Sequence, residues 1–262
     1  MEIFKFMVPE IIFGRGTLSL VGESASRLGA TRIFLVTDEG MKKSGWVDEA
    51  VKHLNDIGLE YQVWAEPTEN PKDFEIDHGK ELYLDTGCDA VVGLGGGSAN
   101  DAAKAVAVLA TNGGKIHDYE GVDKIEKPLP PLLCVATTAG AAAEVTQFVI
   151  AVDTHRKVKM TIGSKSLVPD IAIIDPILLS TKDARLTANT GIDALTHAIE
   201  AYVSVAATPM TDIYALKAIK MITTSLRASV ASRTNIEAKT SMAMASLLAG
   251  VAMSNAILGA VH

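Results

Sequence analysis

Cysteine, aromatic side chains and excess positive charge are all scarce in this 262-residue chain. Its two cysteines, Cys88 and Cys134, form no CxxC pair, which excludes a cysteine-held metal or a dithiol redox centre and fits a reducing compartment. Aromatic residues make up 5% against 48% apolar residues overall, so a large core is expected to be built from aliphatic packing. The net charge is −7, with Lys and Glu evenly scattered. No basic stripe exists to track a phosphate backbone, so no nucleic acid partner is expected and the ligand should be small. The N-terminal MEIFKFMVPE lacks a basic head followed by an apolar run, so no signal peptide is read and a cytoplasmic protein is expected.

One uncharged stretch, Thr240 to Val261, is long enough to cross a bilayer. It consists mainly of Ala, Ser, Met and Gly, holds Asn255 and has no basic flank. That composition reads as tightly packed buried helix, with no membrane partner.

From Ile11 to about Asp175 short β-branched runs alternate with segments of helical period, the pattern of crossover units on a mostly parallel sheet. RIFLVT (32–37), EYQVWA (60–65), DAVVGL (89–94), LLCVA (132–136) and IAIID (171–175) read as strands. Segments 47–58 and 73–87 read as helices that end at glycine. After Pro176 the β-branched runs give way to Ala-, Leu- and Met-rich helical spacing. Two domains are therefore expected: an α/β, Rossmann-like dinucleotide-binding domain over 1–176 and an all-α domain over 177–262.

The segment GLGGGSANDAAKA (93–105) follows a predicted strand and opens a predicted helix. Gly95, Gly96 and Gly97 would let backbone N–H groups approach a diphosphate, with the helix N-terminus adding partial positive charge. Ser98 stands where a dinucleotide fingerprint has its third glycine or alanine, and no Gly-Lys-Ser/Thr follows. Ser98 is expected to cap the helix, with Asp101 completing a reciprocal cap and Lys104 one turn further. A glycine-rich turn without a ligand is the plain alternative. In VATTAGAAAEVT (135–146), Thr137 and Thr138 offer hydroxyls. Asp38, at the end of RIFLVT, suits ribose hydroxyls and repels a 2′-phosphate. It equally suits the cap of the next helix.

In GIDALTHAIE (191–200), Asp193 and His197 stand four apart and share one helix face. With apolar surroundings, they either grip a divalent metal or satisfy each other as a structural pair. His262 closes a second uncharged stretch. His53, His78, His117 and His155 read as solvated and are given no role.

Taken together, GGGSANDAAK, TTAG with EVT after a gap, GIDALTHAIEAY and the terminal GAVH resemble the iron-containing, group III alcohol dehydrogenases over essentially the whole chain. The resemblance implies a dehydroquinate synthase-like architecture, with a metal held between an N-terminal dinucleotide domain and a C-terminal helical domain. It implies an NAD-dependent oxidoreductase that interconverts an alcohol and an aldehyde or ketone. It assigns Asp193, His197 and His262 as catalytic metal ligands for Fe²⁺, with Zn²⁺ as the alternative. It places Gly96, Gly97 and Ser98 at the pyrophosphate, Thr137, Thr138 and Lys159 on the cofactor, Asp38 at the NAD-selecting position and Asn70 beside the nicotinamide. The family's fourth ligand would lie beyond His262, so the helical domain is expected to be truncated. Ala141 to Ala143 depart from the family's Thr-Gly-Ser. A glycerol-dehydrogenase-like polyol enzyme and a nucleotide-binding fragment without turnover remain alternatives. A homo-oligomer, in the simplest case a dimer, is expected from the apolar helices.

Overall fold

The computed structural model describes residues 5–257 and 259. Six strands form one wholly parallel sheet: β1 (Glu10–Phe13), β2 (Arg32–Val36), β3 (Glu60–Trp64), β4 (Ala90–Gly95), β6 (Leu132–Ala136) and β9 (Ile171–Ile174). A second, three-stranded sheet joins β5 (Gly121–Val122), β7 (Phe148–Asp153) and β8 (Val158–Gly163). The helices are α1 (Val21–Arg27), α2 (Glu39–Lys43), α3 (Trp46–Asn55), α4 (Asp73–Asp85), α5 (Gly97–Asn112), α6 (Ala184–Val203), α7 (Pro209–Ala231) and α8 (Ile236–Ala256). The five strands read from sequence are all present, and the chain after Pro176 is helical, as its spacing predicts. The β7–β8 hairpin was not anticipated.

Strand order in the large sheet is β1-β9-β6-β4-β2-β3. From β2 the chain steps outward to β3, then returns to the opposite side of β2 for β4. The direction of winding therefore reverses between β2 and β4, and a crevice opens beyond their C-terminal ends.

Both faces of the sheet are covered, which explains why its strands read as near-continuous apolar runs. Ile33 and Leu35 of β2 and Val92 and Leu94 of β4 pack with Val21, Ala25, Val47 and Leu54 of α1 and α3. The alternate residues Phe34, Val36 and Val91 face Tyr83, Ala103 and Val106 of α4 and α5. Phe34 stacks on Trp64 at 5.8 Å and meets Tyr83 edge-on at 5.7 Å between ring centroids. Each fully buried Val, Leu, Ile or Phe side chain among them contributes roughly 1.5–3 kcal/mol.

The helical part shares a core with the sheet. Ala194, Ala198, Ala218, Ile222, Met242, Ala245 and Ala249 pack with Ala136, Ala142, Val145, Ala172 and Ile174. From Thr240 onward helix α8 is buried on nearly all sides, which accounts for the absence of charge there, while its first turn carries the exposed Glu237 and the buried Lys239. Among the described residues no helix is long and apolar enough to cross a membrane.

Small residues set the approach of α8 to the sheet. A methyl group on Gly250 would overlap the Cβ of Ala142 and come within 2.9 Å of Val145 Cγ2. Ala142 itself holds φ 54° and ψ 30°, a left-handed conformation that an alanine seldom adopts. Gly250→Ala is expected to destabilise the protein by about 1–3 kcal/mol through overpacking, read as a lowered urea midpoint with an unchanged m-value.

Candidate cofactor and metal site

At the winding reversal, the segments that follow β2 and β4 meet. Gly95 ends β4 fully buried, and a Cβ there would lie 2.6 Å from Ala99 Cβ and 3.2 Å from Asp38 Oδ2. A Cβ on Gly97 would lie 2.9 Å from Ala141 Cβ. Only bare backbone fits here. Asn100 Nδ2 donates to the carbonyls of Gly95 and Gly96, both at 3.2 Å, and fixes the turn from inside.

The expected cap on α5 is corrected by the structure. Gly96 is the N-cap, in extended conformation at φ −80° and ψ −165°, and no side chain caps the helix. Ser98 lies within the first turn, where its hydroxyl accepts from Asn70 N at 3.0 Å. Asp101 turns away from the turn, and its carboxylate accepts from Ile150 N at 3.4 Å on β7. The reason is steric: an extended glycine starts the helix two residues before Ser98 and leaves its hydroxyl to the neighbouring loop. The first turn contains no acidic side chain. Its N–H groups therefore point at the crevice without a side-chain acceptor, a setting that suits a diphosphate.

Asp38 caps the next helix, as one of its two sequence readings expects. Its Oδ1 accepts from Met41 N at 3.0 Å and caps α2, while Oδ2 faces Gly95. Thr137 N donates to Gly95 O at 3.0 Å, and the Thr137 hydroxyl is buried without a hydrogen-bond partner among the described residues. Thr138 lies against Gly96, whose added Cβ would be 3.3 Å from its side chain. Asn70 adopts φ 53°, and the adjacent Pro71 carbonyl accepts from Val152 N at 2.8 Å. Val152 pairs with Lys72 on one side and Lys159 on the other. The hairpin thus carries the exposed Lys159 to the same edge as Asn70.

Beneath the loop lies a buried ionic group that sequence reading passed over. Lys104 Nζ donates to Thr146 O at 2.7 Å, Thr146 Oγ1 at 3.3 Å and Phe148 O at 3.3 Å, tying α5 to the start of β7. Burial pushes Glu144 up to about 7 and Asp101 up to about 7, with the Lys104 charge opposing both. Burial likewise lowers the Lys104 pKa. The DAAK and AEV runs carry all three residues, but nothing in their spacing shows that they converge.

On α6, His197 is buried and its Nε2 lies 3.7 Å from Asp193 Oδ1. One turn on, Glu200 Oε2 accepts from Gly259 N at 3.1 Å, which brings the chain beyond α8 back to this helix. His262 lies outside the described residues. The Asp-Xaa-Xaa-Xaa-His pair therefore presents one carboxylate and one imidazole on a single face, an N/O donor set that suits a divalent metal.

His117 was read as solvated and is instead one of a second group of ligand-type residues. Its Nε2 lies 3.1 Å from Asp73 Oδ2 and 3.4 Å from Asp153 Oδ2. These carboxylates are already engaged. Asp73 accepts from Thr154 N and Oγ1 at 3.2 and 2.8 Å, and Asp153 from Arg156 N at 2.7 Å and from the Arg156 side chain. Those Arg156 hydrogen bonds hold Asp153 down at about 2. The group is a polar clasp that pins the β7–β8 turn to α4.

Residues 9–176 match the family described as "Iron-containing alcohol dehydrogenase", and residues 187–262 match "Fe-containing alcohol dehydrogenase family, C-terminal". The chain belongs to the iron-containing alcohol dehydrogenase family. It is 41% identical over 257 residues to the NAD-dependent methanol dehydrogenase of Bacillus methanolicus, covering 98% of this chain and 68% of that protein. It is 43% identical over 264 residues to the 1,3-propanediol dehydrogenase of Citrobacter freundii, covering 100% of this chain and 68% of that one. A crystal structure of 1,3-propanediol oxidoreductase superposes with a TM-score of 0.97 at 43% identity, covering 100% of this chain and 69% of that chain. These matches bear out the family resemblance and the α/β-plus-helical architecture.

The raised carboxylates give a signed pH dependence. A carboxyl whose folded pKa exceeds its unfolded value binds more protons when folded, so its contribution to stability falls as pH rises between the two values. For Glu144 that window runs from 4.5 to about 7. Glu144→Gln is expected to gain stability relative to the parent on going from pH 5 to pH 8. Thermal melts of both proteins at the two pH values measure this, and an unchanged gap would refute it.

Proposed function

We propose that this chain reversibly oxidises a small primary or secondary alcohol to the aldehyde or ketone, with NAD as hydride acceptor and a divalent metal held by Asp193, His197 and His262. The observation that carries this reading is the meeting of Asp38 with the uncapped N-terminus of α5 at the winding reversal of a parallel sheet. In this reading residues 1–176 carry the cofactor and 177–262 the metal. Relatives named for methanol and 1,3-propanediol favour a short alcohol. Fe²⁺ agrees with the family's name, and Zn²⁺ suits the same donors. Exposed Ile192, Val203, Ile213 and Leu216 on α6 and α7 support self-association.

When bound, the ion supplies Lewis acidity toward the alcohol oxygen and NAD supplies the acceptor carbon. The chain's own part is binding and orientation. The N–H groups at Gly97 and Ser98 receive the diphosphate, and Asn100 keeps the turn rigid. Asp38 Oδ2 accepts from the ribose hydroxyls, while Thr138 and Asn70 border the same crevice. Ser98, Gly95, Gly96, Thr137, Asp101 and Lys159 complete or support the cofactor side, Asp101 acting from below through β7. Holding the reactants in one orientation is the largest service such a cleft provides.

Asp193→Ala is expected to lose bound metal and to lower kcat/KM for a short alcohol by about 100-fold or more, the scale of a lost Lewis acid. Its affinity for NADH should change less than about threefold, because the cofactor is held by separate elements. Metal analysis, alcohol-dependent NADH formation and NADH fluorescence titration read the three quantities. Full metal content and turnover in the variant would refute the assignment.

A further inference from the structure

One cation at the crevice has no part in the reading above. Lys182 directly follows the short 3-10 turn Pro176–Thr181 that leads from β9 to α6. Its backbone is fixed on both sides. Trp46 Nε1 donates to Thr181 Oγ1 at 3.2 Å, and Asp183 caps α6 by accepting from Leu186 N at 2.7 Å.

The side chain reaches back over the end of β2. Lys182 Nζ lies 3.7 Å from Met41 Sδ, and Met41 is the residue whose backbone N–H is held by Asp38 Oδ1. Asp38 and Lys182 are close enough for the carboxylate to act on the ammonium, yet no ion pair within 4 Å joins them among the described residues. Burial lowers the Lys182 pKa, and Asp38 opposes that shift. Lys182 also lines a small cavity with Thr138, the residue that touches Gly96. Lys239, whose Nζ donates to Ser229 O at 3.0 Å, lines the same small cavity.

A carboxylate at the end of this strand ordinarily excludes a phosphorylated ribose, whereas a nearby cation accommodates one. Here the two stand together. We propose that Lys182 sets cofactor specificity by accepting a phosphate on the adenosine 2′ position, so that the chain takes NADP as well as NAD despite Asp38. This rests on the reading that the adenosine ribose sits at the β2 and β4 ends. Lys182 offsets the Asp38 charge and supplies a donor, while the α5 N-terminus binds the diphosphate common to both cofactors.

The test is fluorescence titration of the protein with NADH and NADPH, which reads binding independently of metal and turnover. The parent is expected to bind NADPH within about tenfold of NADH. Lys182→Met should weaken NADPH by about tenfold or more while moving NADH less than about threefold, and Lys182→Arg should restore NADPH. NADH affinity in the Met variant serves as its folding control. Discrimination against NADPH by about 100-fold or more in the parent, or an equal loss of both cofactors in the variant, would overturn the proposal. Failure of the parent to bind either cofactor would overturn the underlying cofactor reading, a distinct outcome.

Discussion

The passage of Gly95 between Ala99 and Asp38 is the constraint on which the crevice depends. At this point β4 ends, α5 begins, and the end of β2 comes within 3.2 Å of where a Cβ would stand. Any side chain here would push the helix off the sheet or displace the Asp38 carboxylate. Because none is present, α5 starts directly at the strand end with its N–H groups facing outward and uncapped. The same closeness leaves one oxygen of Asp38 for α2 and turns the other toward the loop. An uncapped helix end and a carboxylate oxygen facing it thus arise from a single steric condition.

The rest of the molecule holds that arrangement rigid. Lys104 anchors α5 to the carbonyls of residues 146 and 148, where desolvation of the ammonium is offset by three acceptors and two neighbouring carboxylates. Ser98 ties the helix to the Asn70 loop, and Pro71 ties that loop to β7. On the other side, α8 packs against Ala142 and Val145 through Gly250, so the helical part that carries Asp193 and His197 is registered to the sheet through small residues. Ala142 brings its methyl to that contact at the cost of a left-handed alanine.

Much of this was legible in the residues. Strands buried on both faces must be continuous apolar runs, so RIFLV, AVVGL and LLCVA stand out, and the break in texture after Pro176 marks the change to helices. Asp193 and His197 were legible because helical spacing alone puts them on one face. What failed did so for physical reasons. Ser98 looks like a cap because a hydroxyl after glycines usually is one, but an extended Gly96 took that place and Asn70 took the hydroxyl. The β7–β8 hairpin was missed because its strands flank a charged turn whose stability comes from Asp73, His117 and Arg156, residues that converge only in three dimensions. Lys182 gives no signal in sequence, since its neighbour Asp38 is far away along the chain.

The central claim is that the dinucleotide diphosphate binds at the N-terminus of α5 beside Asp38. Backbone amide chemical shifts followed during titration with NAD test it most directly. The account predicts that the largest changes fall on Gly95, Gly96, Gly97, Ser98 and the segment after Asp38, with smaller ones near Asn70. Saturable changes that leave these amides unmoved and fall elsewhere would contradict it.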